Sequence, residues 1–258
     1  MLLTLVGFYL VVSVAIGLVA ARQVHSTSDY ITAGRHLPMP VVLAMVFATW
    51  FGAETVLGIS ATFLEEGFRG LISDPLGASL CLVIFGLVFA LPLYRMKLMT
   101  LGDFFRIRYN RQTELIISLC IVVSYLGWVS AQITALGLVF NVISNDLLSM
   151  EQGMLIGAGV VLIYTVFGGM WSVAATTFVQ MIVIVIGLLI VTSIAGDMAG
   201  GMSAVVSKAA AEGKFEWLPS LDLLDMLGWI AALLTMALGS IPQQDVFQRV
   251  NASKSERV

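Results

Sequence analysis

The chain has 258 residues, of which 59% are hydrophobic and 11% are charged, and its mean hydropathy is +0.98. Soluble domains contain about 45–50% apolar and about 25% charged residues, so this apolar excess is too large for one water-exposed globule and excludes a soluble enzyme or a disordered chain. The net charge of −3 leaves no basic surface for nucleic acid, and the class that remains is an all-α polytopic membrane protein.

Seven runs are long and apolar enough to cross a bilayer, since a membrane helix needs about 20 mostly apolar residues. In chain order the predicted helices cover residues 2–21, 38–64, 75–94, 115–143, 152–169, 173–196 and 226–247. The first run has no basic segment before it, so we interpret it as a span rather than a signal peptide. Gly168 and Gly169 mark the turn between the fifth and sixth runs. We expect the seven helices to form one transmembrane domain over residues 1–258.

The basic residues are concentrated in alternate loops. Ten of the 13 lie in the segments 22–36, 95–111 and 249–257, whereas the other loops are acidic. Because positive charge favours the cytoplasmic side, we expect the N-terminus outside and the C-terminus in the cytoplasm, in the plasma (inner) membrane. Seven spans give the same result, since an odd number places the two termini on opposite sides.

The second span contains a carboxylate, Glu54, close to its middle and directly after Trp50, Phe51 and Gly52. A charge within a span is unfavourable unless it is paired or hydrated, and it often marks a solute or ion pathway. Glycine loosens the helix here, and carbonyl oxygens at a helix break can bind a cation. We therefore predict a discontinuous helix at a substrate or ion site. The alternative is a Glu54 near the outer interface with neighbours that only pack.

Two tryptophans and a second helix break are further site candidates. Trp50 and Trp128 lie inside their spans, away from the interfaces where Trp is enriched, and their ring faces could bind an organic cation. Simple packing or lipid contact would also explain them. In the seventh span Pro242 removes a backbone donor and is followed by Gln243 and Gln244. This order indicates either a second discontinuous helix or the end of the span.

Three stretches of the chain resemble the sodium:solute symporter family. The first resembles a cytoplasmic loop, the second a signature across the fifth and sixth helices, and the third the end of the seventh helix. They are Asp29-Tyr30 with Ala33-Gly34-Arg35 and Pro38, then Tyr164-Thr165, Gly168-Gly169, Val173, Thr176 and Gln180, then Gln248-Arg249 with Ala252-Ser253-Lys254-Ser255. Together they extend over nearly the whole chain.

The resemblance implies a leucine-transporter-type fold, in which an extra helix precedes two inverted five-helix repeats. The first span would be the extra helix, the next five the first repeat, and the seventh the start of the second repeat, so we expect a fragment covering the N-terminal half. The implied coupling ion is sodium, bound by the backbone carbonyls of Ala48 and Phe51, with no other cofactor. Thr177 occupies a position where the family commonly has Asp, which disfavours a second cation site.

The residues from Gly239 to Val250 are similar to the high-affinity choline transporter branch of the family. The resemblance implies a solute site that includes Trp50, Trp128, Gln243 and Gln244, with Gln243 where that branch has a tryptophan. We add Glu54 to the predicted solute-binding residues, as a counter-charge. The predicted function is sodium-coupled symport of a small amine or zwitterion such as choline, betaine or proline.

The sequence leaves other functions open. They are a carrier for a carboxylate or another solute, and a symporter-like sensory input domain of a signalling kinase. A purely structural membrane subunit would gain nothing from Glu54 or from two helix breaks. No nucleophile, base and orienting group assemble in the sequence, so we predict that the chain is not an enzyme. The expected partners are the solute, sodium and the lipid bilayer.

Overall fold

The computed structural model describes residues 2–258, and these residues form helices without a β-strand. The α-helices are α1 Leu2–Ala21, α2 Thr27–Thr32, α3 Met39–Trp50, α4 Ile59–Glu66, α5 Ala78–Ile84, α6 Ala90–Arg95, α7 Leu101–Arg108, α8 Arg111–Ile143, α9 Met150–Met198, α10 Met202–Ala211, α11 Leu223–Gly239 and α12 Gln244–Ala252. Three segments with π-helical turns, Glu54–Gly58, Ile72–Gly77 and Phe85–Phe89, adjoin α4, α5 and α6.

Among the described residues, four helical stretches are long and apolar enough to cross a membrane, or five if α11 and α12 form one bent span. The four are Leu2–Ala21, Glu54–Arg95, Arg111–Ile143 and Met150–Met198. The sequence predicts seven spans, and the two counts differ for a simple reason. The 12-residue α3 is too short to count by itself, whereas the 49-residue α9 contains two predicted spans. The seven-span topology remains a prediction.

The helices are interrupted where the sequence contains glycine or proline. α3 ends at Trp50 and helical structure resumes at Glu54, so the gap includes Gly52. Within α9, Gly169 adopts φ +48° and ψ −134°, which no continuous helix allows. α11 ends at Gly239 and α12 begins at Gln244, with Pro242 between them. Proline lacks the amide hydrogen that a continuous helix needs, and glycine permits the positive φ.

One compact unit contains the described residues up to Thr49, together with Leu93–Val179 and Gln243–Val258. In this unit α1 buries one face, Ser13, Gly17 and Ala20, at helical spacing. A Cβ atom on Gly17 would lie 2.5 Å from the Cβ of Tyr164, and the Ser172 hydroxyl donates to the Gly17 carbonyl. α1 therefore packs closely against the turn within α9, because a glycine lets the two backbones approach.

The second unit contains Trp50–Pro92 and Gln180–Pro242. A Cβ atom on Gly77 would lie 2.9 Å from the Leu233 carbonyl, so the end of the Ile72–Gly77 segment contacts the backbone of α11. The Lys214 ammonium donates to the carbonyls of Leu64 (2.7 Å) and Glu65 (3.0 Å) in the last turn of α4. A cation at this position complements the negative end of the helix dipole.

Candidate functional site

The loop before α3 and the segment after α12 form a paired connection in the first unit. The Leu37 amide donates to the Ala252 carbonyl at 3.0 Å, and the Lys254 amide donates to the Leu37 carbonyl, also at 3.0 Å. Leu37 and Ala252 are almost fully buried and belong to one apolar cluster with Met45 and Met170. The first and third motifs of the sequence therefore meet, although more than 200 residues separate them.

Side chains from the end of α6 strengthen this connection. The Arg35 guanidinium donates to the Tyr94 carbonyl (2.9 Å) and stacks on the Tyr94 ring, 3.8 Å from its centroid. The Tyr94 hydroxyl in turn donates to the Ser253 carbonyl at 3.1 Å. Arg95 forms an exposed ion pair with Glu256 at 2.8 Å, and hydrogen bonds from Arg95 lower the pKa of the Glu256 carboxyl. Arg35 and Tyr94 together thus join the loop before α3, the end of α6 and the segment after α12.

The second motif, which lies across the turn in α9, contacts the first motif through Tyr30. The Tyr30 hydroxyl donates to the Thr165 carbonyl at 3.1 Å, and a Cβ atom on Gly169 would collide with the carbonyl and ring of Tyr30. Thr176 is buried and its hydroxyl donates to the carbonyls of Ser172 (2.9 Å) and Val173 (3.1 Å). Thr177 is also buried, and Gly168 lies against Ser172. Gln180, the last residue of the motif, is half-buried and belongs to the second unit.

We call these three contacting segments, residues 26–38, 164–176 and 251–256, the motif cluster. Their side chains bond to backbone atoms and to one another, and the core between them is apolar. The residues that carry the family resemblance therefore build the fold at one end of the first unit.

The predicted sodium-binding residues lie at the break after α3. Ala48 is in the last turn of α3, and Phe51 is the first residue beyond it. The last turn of a helix leaves carbonyl oxygens without intrahelical partners. The Trp50 carbonyl accepts a hydrogen bond from the Thr55 hydroxyl at 2.9 Å, and the Gly52 carbonyl accepts one from the Val56 amide at 3.2 Å. Cation binding at Ala48 and Phe51 remains a prediction.

Two other predicted site residues flank this break. The Trp50 side chain is half-buried, and its indole Nε1 is buried without a hydrogen-bond partner among residues 2–258. Glu54 is exposed and begins the π-helical turn Glu54–Gly58. In a membrane such an exposed carboxylate needs water or a cation beside it. Their role in solute binding remains a prediction.

The middle of α8 meets the start of α12 through an aromatic and acidic group in the first unit. The Tyr125 hydroxyl donates to Asp245 Oδ1 at 2.7 Å, and the Asp245 amide donates to the Tyr125 oxygen at 3.1 Å. The Tyr125 and Trp128 rings pack edge to face with centroids 6.2 Å apart. Trp128 nevertheless remains 40% exposed. We call Tyr125, Trp128 and Asp245 the α8–α12 cluster.

The two predicted glutamines adjoin this cluster but differ in their bonding. Gln244 Oε1 accepts a hydrogen bond from the Leu101 amide at 2.7 Å, so it satisfies a donor at the start of α7. Gln243 precedes α12 and forms no side-chain capping bond there. Its backbone carbonyl accepts from the Phe247 amide at 3.2 Å. Solute binding by Gln243 and Gln244 remains a prediction.

Sequence reasoning missed Tyr125 as a site residue and left Asp245 without a role. One local signal was present, because Tyr125 and Trp128 are three residues apart and share a face of α8. The pairing of Tyr125 with Asp245 has no local signal, since 120 residues separate them.

Comparison with known proteins gives a family match and several similar chains. The model of the sodium:solute symporter family matches residues 30–258. The chain is 29% identical to the high affinity choline transporter 1 of Homo sapiens, over 98% of this chain and 45% of that protein. It is 28% identical to a sodium/glucose cotransporter of Vibrio parahaemolyticus, over 96% of this chain and 48% of that protein. The chain thus spans about half the length of these relatives.

A solved structure shares the fold. It is the substrate-bound outward-open state of a Na⁺-coupled sialic acid symporter, with a TM-score of 0.85 and 19% sequence identity. The match covers 98% of this chain and 54% of that one. The match shows that the chain shares this all-helical fold.

The chain belongs to the sodium:solute symporter family. The predictions of an all-helical membrane fold and of this family are confirmed. The named relatives are transporters, which agrees with the prediction that the chain is not an enzyme.

Proposed function

We propose that this chain provides the backbone carbonyls of the sodium site and much of the solute site of a sodium-coupled carrier for a small amine or zwitterion, such as choline, betaine or proline. The observation that carries the proposal is the α8–α12 cluster, which presents the partly exposed Trp128 next to the start of α12. Aromatic faces bind quaternary ammonium groups. The choline transporters among the relatives make such a group the first solute to test.

Sodium is the proposed coupling ion, and the carbonyls of Ala48 and Phe51 are its proposed ligands. Trp50, Glu54, Trp128, Gln243 and Gln244 are the proposed solute-binding residues. Sodium at the end of α3 would favour an outward-open state with higher affinity for the solute. Because coupling is a binding free energy shared by two ligands, the solute must raise the affinity for sodium by the same factor. We further propose that the N-terminus lies outside and the C-terminus in the cytoplasm.

The test uses the protein expressed from its complete reading frame and reconstituted in liposomes. Uptake of labelled choline is measured with an inward sodium gradient and with potassium in its place, and betaine, proline, glucose and short carboxylates are offered as competitors. We expect choline uptake with sodium only, and its loss in the Trp128→Ala variant. Trp217→Ala is the matched control, because Trp217 lies in an exposed loop of the second unit.

Three results would change the proposal. Sodium-driven uptake of glucose or a carboxylate alone would keep the carrier and reject the amine class. Equal uptake in sodium and potassium would reject sodium coupling. A folded protein without flux of any of these solutes would favour the sensory input domain.

A further inference from the structure

Asp245 is the acidic residue of the first unit that lies beside the proposed aromatic site. It is half-buried at the first turn of α12. The Tyr125 hydroxyl (2.7 Å) and the Val246 amide (2.9 Å) both donate to its Oδ1 atom, and no described residue donates to Oδ2 from its side chain or backbone. One oxygen of this carboxylate is therefore fixed, and the other is available to a ligand.

No side chain among residues 2–258 forms a close ion pair with the Asp245 carboxylate, although Arg249, one turn further along α12, attracts it at longer range. Across residues 2–258 the ion pairs are Arg95–Glu256 and Arg106–Glu114. Arg249 is the nearest cation on α12, but its Nη1 atom donates to the Asp245 backbone carbonyl at 3.4 Å and not to the carboxylate.

The geometry points to Asp245 as the anionic partner of the transported solute, which makes the carrier selective for a cationic amine over a zwitterion. This inference rests on the proposed function and narrows its solute class. Tyr125 links the two parts of the site, because its ring contacts Trp128 and its hydroxyl fixes Asp245. The Trp128 ring and the Asp245 carboxylate both contact the Tyr125 side chain, so an ammonium group bound beside Tyr125 could contact both. A solute that carries its own carboxylate would be repelled by Asp245.

Choline and betaine are matched probes for this inference. They share the trimethylammonium group and differ in whether the other end is an alcohol or a carboxylate. We expect the wild-type protein to prefer choline, and Asp245→Asn to raise the KM for choline about tenfold, the effect of losing one charge contact in a partly desolvated site. The KM for betaine should stay unchanged or fall. Tyr125→Phe should change the choline-to-betaine ratio in the same direction but less, because the carboxylate remains without its hydroxyl partner.

The controls separate selectivity from folding and from the proposed function. Asp197→Asn, in an exposed position of the second unit, should leave both KM values unchanged, and each variant should elute as one symmetric peak in size-exclusion chromatography. A choline-to-betaine ratio that Asp245→Asn leaves unchanged would overturn the inference and keep the carrier. A shift in the ratio caused by Glu54→Gln and not by Asp245→Asn, or a shift only in the sodium dependence, would also overturn it. Wild-type protein without sodium-driven uptake would overturn the proposed function itself.

Discussion

Gly169 shows how a single residue can determine the turn between two helical segments. It has φ +48°, in the region that residues with a Cβ atom rarely adopt. Any Cβ atom there would also collide with the backbone and ring of Tyr30, which reaches over the turn to bond to the Thr165 carbonyl. Glycine is required at this position for both reasons, the backbone conformation and the close approach.

We therefore predict that Gly169→Ala lowers the free energy of unfolding by about 1–3 kcal/mol. This is the usual cost of holding a residue in a rarely populated backbone conformation. Gly187→Ala is the matched control in the same helix α9, because a Cβ atom on Gly187 meets nothing within 4 Å. The measurement is the temperature at which half of the detergent-solubilised protein is lost from the monodisperse peak. We expect a drop of several degrees for Gly169→Ala and no drop for Gly187→Ala. Equal midpoints for the two variants would contradict this account.

The extra helix α1 is held by a narrow contact surface. Its buried face contains Gly17, which lies against Tyr164, whereas most other side chains of α1 are exposed or half-buried. The Ser172 hydroxyl also bonds to the Gly17 carbonyl. Small residues at a helix contact provide dispersion energy by close approach, since apolar burial drives little association within lipid.

This contact predicts different effects for two glycines of one helix. Gly17→Ala places a Cβ atom 2.5 Å from the Cβ of Tyr164, and such overpacking is unfavourable by about 1–3 kcal/mol. Gly7→Ala meets nothing within 4 Å and should leave the stability unchanged or slightly raise it through helix propensity. Thermal midpoints of the two variants in detergent provide the measurement. A lower midpoint for Gly7→Ala than for Gly17→Ala would show that α1 packs through another face.

The connection between the loop before α3 and the C-terminal segment is tested by removing one amide hydrogen. Lys254→Pro loses the donor to the Leu37 carbonyl, which should lower the free energy of unfolding by about 1 kcal/mol. Ser253 already has φ −65° and ψ 146°, the extended conformation that a following proline requires. Lys254→Ala keeps the amide and is the control. Hydrogen exchange at Leu37 and Ser253 should become faster in the proline variant only, and unchanged exchange would contradict the pairing.

The helices and their breaks could be predicted to different extents from sequence. The first apolar run and α1 both cover residues 2–21. The bounds agree because the length of a run without charged residues can be read from the sequence alone. Gly52 and Pro242 lie at interruptions in the structure for equally local reasons. The sequence carried no signal for the π-helical turns at Ile72–Gly77 and Phe85–Phe89, which are a rare conformation in proteins. Likewise, the family motifs were visible as patterns, but their meeting in the motif cluster depends on contacts over more than 100 residues.

The charge distribution of the whole chain predicts its orientation in the membrane. The segments that carry ten of the 13 basic residues include α7, whereas Lys208 lies in α10, between acidic residues at Asp197 and Glu212. The positive-inside rule places α7 in the cytoplasm and α10 outside. Both Arg106 and Lys208 are exposed in the structure, so each offers an accessible position for a label.

We predict that Lys208→Cys reacts with a membrane-impermeant maleimide in intact cells and that Arg106→Cys reacts only after permeabilisation. Cys81 and Cys120 are both free thiols, so the variants are made in a Cys81→Ser, Cys120→Ser background that must itself stay unlabelled. Permeabilised cells should label both variants, which controls for expression and reactivity. Because α7 and α10 are separated by three predicted spans, they must lie on opposite sides of the membrane. Labelling of both positions in intact cells would reject the seven-span topology, whereas the reverse pattern would keep the spans and invert the orientation.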